Sequence, residues 1–465
     1  MAKPWLFHAS GNSSKQINNI VNEAARISSG VINPFLQLNA KAVLAAVLAI
    51  SIFIYDPLVA IVGVSFFSCA YLAMFALIKA RLSRYSETIS RTSEFRMQLL
   101  NEAFGAIKDV LLRDKQHHFS RHFSMQSDQL ARSLSNTQIL SQLPRYVMEF
   151  VALSTVIVLI QVLLFKESNN LSAVLPTLAI YALGGLKLLP AFQQIYTSSS
   201  YIRGNISALK NLQQDLEESL GIGDLSNSPE YAAELSFNDR IVLSDIEFCY
   251  QGQKNPALQA VSFEIHQNEF IGIAGPSGGG KSTLADVLLG LIPPDRGQVS
   301  IGSRVVDNTA REWRSRVAYV PQDIVLLDTS IAKNVAFGCD DDEIDLVRVS
   351  SALALACLDD YVSALPLGIN AEVGERGVQM SGGQRQRIGI ARALYHDFDM
   401  IIMDEATSAL DGPTEQSLVK TLMAMKGKKT IVMIAHRLST LEQCDSVLFM
   451  DKGLVADQGT FEALS

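Results

Sequence analysis

Two stretches far apart in the chain hold side chains able to handle phosphate. Lys281, Ser282 and Thr283 close the glycine-rich run GPSGGGKST (275–283), and Asp404 and Glu405 stand together in IIMDEATSALD (401–411). An ammonium, a hydroxyl and two carboxylates are what is needed to grip a nucleotide's phosphates, hold Mg2+ and direct water at phosphorus. The loop Gly275, Pro276, Ser277, Gly278, Gly279, Gly280 permits a tight path. That path turns the backbone N–H groups of Gly278 to Lys281 inward, and a helix starting there adds a favourable dipole. Lys281 would reach the β- and γ-phosphates and the Ser282 hydroxyl would ligate Mg2+. Asp404 would hold the same ion through water, while Glu405 would polarise the attacking water. Gln322, in YVPQD, has an amide oxygen suited to sensing Mg2+ and that water. His436, in IAHRLST, can contact the γ-phosphate and orient Glu405. Tyr250, in FCYQG, offers a flat face to an adenine ring. Each motif also has a plainer reading, a chance glycine turn or a helix-capping acid pair. A strand before each and a helix after the first argue against it. A second glycine-bearing stretch, GVQMSGGQRQRIGIARAL (377–394), raises the question of why one chain should carry two such loops.

Positioning these groups requires a sheet. FIGIA (270–274), MIIM (400–403), TIVMI (430–434) and VLFM (447–450) are short apolar runs with the look of buried strands in a mostly parallel sheet covered by helices on both faces. After GPSGGGKST, the residues Leu284, Val287, Leu288 and Leu291 recur at helical spacing. The region from 241 onward therefore reads as α/β.

The first half of the chain has another character. Charged residues make up 18% of the sequence, below the ~25% usual for soluble chains, and mean hydropathy is slightly positive. Residues 58–78 are 21 positions without a charge, enough to cross a hydrocarbon core of ~30 Å. Spans are expected at about 30–55, 57–78, 147–165 and 171–190, with Asp56-Pro57 breaking the first pair and KESNN the second. Between the hairpins, 79–146 carries eleven Lys and Arg, against Lys166 alone in the turn 166–170, so this loop and both chain ends are expected in the cytoplasm. Its amphipathic character predicts that the second and third spans continue into the cytosol as a long helical pair, with 101–119 near the tip. His117, His118 and His122 are read as a solvated cluster in preference to a metal site. Lys187 is read as a snorkelling residue in preference to a contact for a phosphate-bearing substrate. The polar stretch 211–240, broken by Gly and Pro, is the expected linker between a membrane domain over 1–210 and a nucleotide domain over 241–465.

The net charge of −8 gives no global basic surface, which sets nucleic acid aside as a partner. The five cysteines, an odd number without CxxC spacing, read as reduced and structural.

Taken in order, Tyr250, the 275–283 loop, Gln322, MSGGQ (380–384), Asp404-Glu405, SALD with Asp411, and His436 resemble the nucleotide-binding domain of ATP-binding-cassette transporters. VGERG (373–377) and the fusion of spans to this domain are similar to the exporters among them. NEAFGAIKDV (101–110), LSQLPRYVMEF (140–150) and 181–203 are similar to bacterial flippases of lipid-linked oligosaccharides. The resemblance implies an α-helical exporter-type membrane domain followed by an α/β P-loop domain. ATP hydrolysis would be coupled to export or flipping, with ATP and Mg2+ bound, in a multi-pass protein of a bacterial inner membrane. Ser282, Gln322 and Asp404 would serve the metal, Glu405 and His436 the chemistry. The resemblance also implies a reason for two loops. In this family two domains pair head to tail, and Ser381, Gly382, Gly383 and Gln384 of one chain close over the γ-phosphate held by Lys281 of the other. A homodimer is implied, because one chain holds one set. Met380 stands where leucine is usual, a volume-conserving exchange. Exporter halves of this family have six spans against the four expected here, and residues 5–28 resemble the cytoplasmic loop after the second. Two other readings share most motifs: an exporter of drugs or other lipids, and a shortened chain that binds ATP without transporting.

Overall fold

The computed structural model describes residues 4–10, 13–55, 57–166, 171–221, 239–307, 311–406, 412–435 and 438–464. The chain divides into two compact units, essentially 7–227 and 228–465.

The first unit is helical. After short helical segments between Trp5 and Ile32, it consists of α1 (Asn33–Tyr55), α2 (Pro57–Gly105), the short α3 (Ile107–Leu112), α4 (Gln116–Lys166) and α5 (Leu171–Gly221). Pro57 suits the first turn of α2, where its missing N–H would have no partner anyway. At 51 residues each, α4 and α5 are about 75 Å long, well beyond what a bilayer core needs. Residues 211–221 of the expected linker are the last turns of α5, where Gln213 Nε2 donates to Glu217 Oε1 at 2.8 Å across one turn. The remainder of that linker, 222–238, lies outside the described residues.

Apolar residues in this unit divide between a narrow seam and the outside. Ala45, Leu188 and Ala191 meet with Val64, joining α1, α5 and α2. Tyr71, Met148 and Tyr196 join α2, α4 and α5, with the rings of Tyr71 and Tyr196 5.6 Å apart. By contrast Val43, Val47, Ile50 and Ile54 form an exposed stripe on α1, the reverse of a helix folded against water. The helical stretch Ser13–Ile54 is long and apolar enough to cross a membrane, and among the described residues it is the one stretch that meets that test. Elsewhere in this unit, polar groups lock the bundle. Ser207 Oγ lies 2.6 Å from Ser86 Oγ and 2.9 Å from Ser90 Oγ, and the fully buried Glu23 accepts from Ser90 Oγ at 3.0 Å and from Arg26 Nη1 at 2.9 Å. Buried charge is tolerated here because each partner is hydrogen-bonded.

The second unit contains two sheets. An antiparallel sheet has the order β2-β1-β4-β5, from Leu258–Ile265, Ile241–Phe248, Arg296–Ile301 and Arg304–Val306. A six-stranded sheet has the order β10-β9-β3-β8-β7-β6. Here β3 is Phe270–Ala274, β6 Val317–Val320, β7 Met400–Asp404, β8 Thr430–Ile434, β9 Ser446–Asp451 and β10 Leu454–Gly459. The inner strands are parallel and β10 is antiparallel. The runs expected as buried strands are those inner strands, and β3 and β8 are buried at every position.

Strand alternation sends side chains to two cores. Ile401, Met403, Ile431 and Met433 pack with helix α7 (Gly382–Tyr395) through Ile388, Ile390 and Ala391. Ile271, Ile273, Ile402 and Val432 pack with the antiparallel sheet and with α6 (Lys281–Leu288) through Leu284, Val287 and Leu288. Chemistry-bearing residues at the carboxyl ends of β3 and β7 thus lie at one edge of a rigid layer, the usual place for a ligand in such sheets.

Candidate functional site

The glycine loop leaves β3 and enters α6. Gly275 takes φ +139, and a Cβ there would fall 2.0 Å from the Met450 carbonyl oxygen, so no other residue fits. Gly280, at φ +99, is the left-handed residue before α6, with the Ala257 carbonyl 2.8 Å from where a Cβ would lie. Gly453 N donates to Gly279 O at 3.0 Å, which ties the loop to the β9–β10 turn. Lys281 is 7% exposed, and its Nζ donates to the carbonyls of Gly275 and Pro276, each at 2.9 Å. The ammonium is thereby curled back over its own loop. Ser282 is exposed beside it. Tyr250 is half-buried: its ring meets Phe248 edge-on at 4.9 Å and its hydroxyl lies 3.3 Å from Thr283 Oγ1. The aromatic candidate and the phosphate loop are therefore one assembly.

On β7, residues 400–403 are fully covered and Asp404 emerges half-buried, in register with Ile434. Glu405 then takes φ +50, a left-handed conformation that costs a non-glycine residue about 1 kcal/mol or more. Contacts to three described residues help to hold it. Its N–H donates to Ile434 O at 3.1 Å, its carbonyl accepts from Gln386 Nε2 at 3.2 Å, and its Oε2 accepts from Gln322 Nε2 at 2.9 Å. Gln322 and Glu405, 83 residues apart, are joined, and the amide of Gln322 has its oxygen as the end available to a cation.

Asp286 was not among the residues singled out from the sequence. It lies one helical turn after Ser282 on α6, and burial, reinforced by the charge of Asp404, raises its carboxyl to about 6. Tyr319, on β6, is raised to about 12 by burial and then by the charges of Asp404 and Asp286. Asp404, Asp286 and Tyr319 therefore share one electrostatic neighbourhood. The i, i+4 spacing from Ser282 was the signal that could have identified Asp286.

The second loop is a helix start. Ser381 caps α7, accepting from Gln384 N at 3.2 Å, while Gln384 Oε1 accepts from Ser381 N at 2.8 Å, a reciprocal capping box. Gly382 and Gly383 follow at the surface, and Met380 is buried in the core beneath. Further along, Gly389 lies so close to Ile324 that a Cβ would meet its Cδ1 at 2.3 Å. Arg392 donates to Asn334 O at 2.9 Å and Val325 O at 3.1 Å, which binds the helix to the segment after Gln322.

His436 and Asp411 lie outside the described residues. The ring centroids of His118 and His122 are 4.4 Å apart, in a shallow depression of about 540 Å³ shared with Lys115 and Arg121. Among the described residues, no three His, Cys, Asp or Glu gather as a metal site. Lys187 is exposed on α5. The all-oxygen set of Ser282, Gln322 and Asp404 suits a hard cation that takes few protein ligands and leaves positions for phosphate and water, as Mg2+ does.

Loop, acidic strand end and capped second loop define a P-loop nucleotide-binding domain fused to a long helical unit. Residues 258–408 match the family described as ABC transporter. The chain belongs to that family. It is 29% identical over 464 residues to the ATP-dependent lipid A-core flippase of Cupriavidus pinatubonensis, with 99% of this chain and 77% of that protein covered. With the ATP-dependent lipid A-core flippase 2 of Colwellia psychrerythraea it shares 32% identity over 399 residues, covering 84% and 66%. A solved bacterial Atm1-family ABC exporter with ATP bound superposes with a TM-score of 0.86 at 24% identity, covering 99% of this chain and 80% of the other, so the chain has the exporter fold.

Proposed function

We propose that the protein is an ATP-driven exporter that moves a lipid-anchored saccharide across a bacterial inner membrane, acting as a head-to-tail homodimer. The hydrolytic part rests chiefly on the hydrogen bond between Gln322 and Glu405 at the strand ends beside the phosphate loop. Lys281 and the loop amides grip the β- and γ-phosphates, Tyr250 stacks on adenine, and Glu405 takes a proton from the attacking water. Ser282, Gln322 and Asp404 would hold Mg2+, which neutralises charge developing on the phosphates. His436 and Asp411 complete the set, as contacts to the γ-phosphate and to the nucleotide interface.

Pairing of two copies explains the capped loop at Ser381. The first N–H groups of a helix point outward with a positive dipole, as anion-binding termini do, and would close over a nucleotide held by the other copy. The membrane part is supported by the exposed apolar stripe of α1 and by helices much longer than a bilayer. The names of the relatives favour lipid A-core as cargo, and the membrane-domain motifs favour a lipid-linked oligosaccharide. Both are lipids carrying a saccharide headgroup.

Proteoliposomes decide between them. ATP-dependent movement of a labelled lipid A-core or a labelled polyprenyl-linked sugar is expected, lost in Glu405→Gln. Turnover with neither lipid moved would favour export of another lipid or a drug. Robust ATP binding without movement of any amphiphile would favour a non-transporting chain.

A further inference from the structure

We propose that Gln386 is a positioning residue for Glu405, by which the helix behind the second loop holds the hydrolytic carboxylate in place. The inference rests on the role of Glu405 given above. Gln386 is 3% exposed, and Gly389 and Ile390, three and four residues on along the same helix face, are buried. An amide so placed is costly unless it is hydrogen-bonded, and its Nε2 reaches the carbonyl of Glu405 at 3.2 Å.

That carbonyl belongs to a residue under strain. A non-glycine residue at φ +50 persists where its surroundings over-determine it, and Glu405 is bracketed on the peptide before it by Ile434 O and on the peptide after it by Gln386. With both peptides fixed, the side chain leaves the strand end in the direction that meets Gln322. Helix α7 also braces the other partner of this contact, since Gly389 packs on Ile324 and Arg392 binds the carbonyl of Val325, two and three residues beyond Gln322. One helix thus positions both halves of the pair. The same helix begins at Ser381, so a shift of the second loop against a nucleotide is transmitted to Glu405 of the same chain.

The test uses the full-length protein in lipid, with Mg-ATP turnover and binding of a fluorescent ATP analogue as readouts. Gln386→Met keeps the volume and removes the donor. The expected result is a kcat lowered about ten- to hundredfold, the scale of a misplaced reacting group. KM for ATP and analogue affinity should stay at wild-type values. In the Glu405→Gln background, measured in single turnover, Gln386→Met should cause no further loss. If Gln386→Met does not fold, Gln386→Asn retains the amide but falls one methylene short, and the same split is expected. A wild-type kcat in the folded variant, or a loss repeated in full on top of Glu405→Gln, overturns the proposal while leaving the hydrolytic reading intact. Full turnover in Glu405→Gln alone removes the hydrolytic reading, and this proposal with it.

Discussion

Gln322 Nε2 donates to Glu405 Oε2 at 2.9 Å, although the two residues are 83 positions apart in the chain; each stands two residues beyond the Val320–Met403 pair of the parallel strands β6 and β7. The contact uses the amide nitrogen on the carboxylate and leaves the amide oxygen as the end that can meet a cation. A single hydrogen bond thereby relates the residue assigned to activating water to the residue assigned to sensing the cation. Replacing Glu405 by Gln leaves the shape and removes the base. ATP turnover should fall about a hundredfold or more while ATP binding persists, and a phosphate-release assay beside a binding assay checks both halves.

Lys281 predicts a different pattern. Its ammonium sits on two loop carbonyls and is nearly buried, so Lys281→Ala removes a charge from the phosphate path and frees those carbonyls. Affinity for ATP should drop about ten- to hundredfold, the value of a charge-assisted hydrogen bond or two. Titration with a fluorescent nucleotide measures it. Unchanged affinity would place the phosphates elsewhere.

Gly275 tests the loop's backbone. With φ at +139 and the Met450 carbonyl oxygen 2.0 Å from the added carbon, Gly275→Ala must displace either the loop or the end of β9. A loss of about 3 kcal/mol or more in stability is expected, read as a lowered Tm of the solubilised protein. A variant with wild-type Tm would contradict the observed path.

Ser381 can be separated into its structural and its functional part. Ser381→Ala loses the cap and should cost about 1 kcal/mol of stability. Ser381→Asp restores a good cap, so Tm should return to near the wild-type value. An anion at the loop would oppose the γ-phosphate, and turnover should stay low. Recovery of turnover in the Asp variant would limit Ser381 to capping.

Asp286 gives a pH dependence. Its folded-state pKa is raised from 3.8 to about 6 by burial, with the charge of Asp404 adding to the rise. A raised acid binds its proton more tightly folded than unfolded, so its stabilising contribution is present below about pH 4 and lost as pH rises through about 6. Asp286→Asn should therefore stabilise the protein at pH 7.5 and make no difference near pH 4. The group is partly exposed, and after allowance for solvent screening the gain is about 1 kcal/mol. Thermal melts at the two pH values provide the measurement, and an equal effect at both would discard the assignment.

Much of the nucleotide site was legible because its requirements are local. GPSGGGKST demands glycines wherever the path is left-handed or crowded, and Gly275 and Gly280 occupy such positions. FIGIA, MIIM and TIVMI are uninterrupted apolar runs because strands covered on both faces have no polar side. Asp286 and Gln386 escaped notice for the opposite reason. An aspartate in a helix and a glutamine in QRQR look like solvated residues, and only packing shows that one is half-buried near Asp404 and the other almost fully buried against Glu405. Nor did the polarity of 211–221 disclose that α5 continues through it, since an exposed helix supported by i, i+4 contacts carries no apolar period.

By itself the sequence determined which residues could do phosphate chemistry, where four inner strands run, and that long uncharged apolar runs lie in the first half of the chain. These follow from side-chain type and short-range spacing, which fix local propensity and periodicity. The tertiary structure alone decided that Gln322 meets Glu405, that Glu405 is held left-handed, and that the helix starting at Ser381 braces both. Such contacts join segments tens of residues apart, and they arise from sheet register and steric fit, which no local pattern encodes.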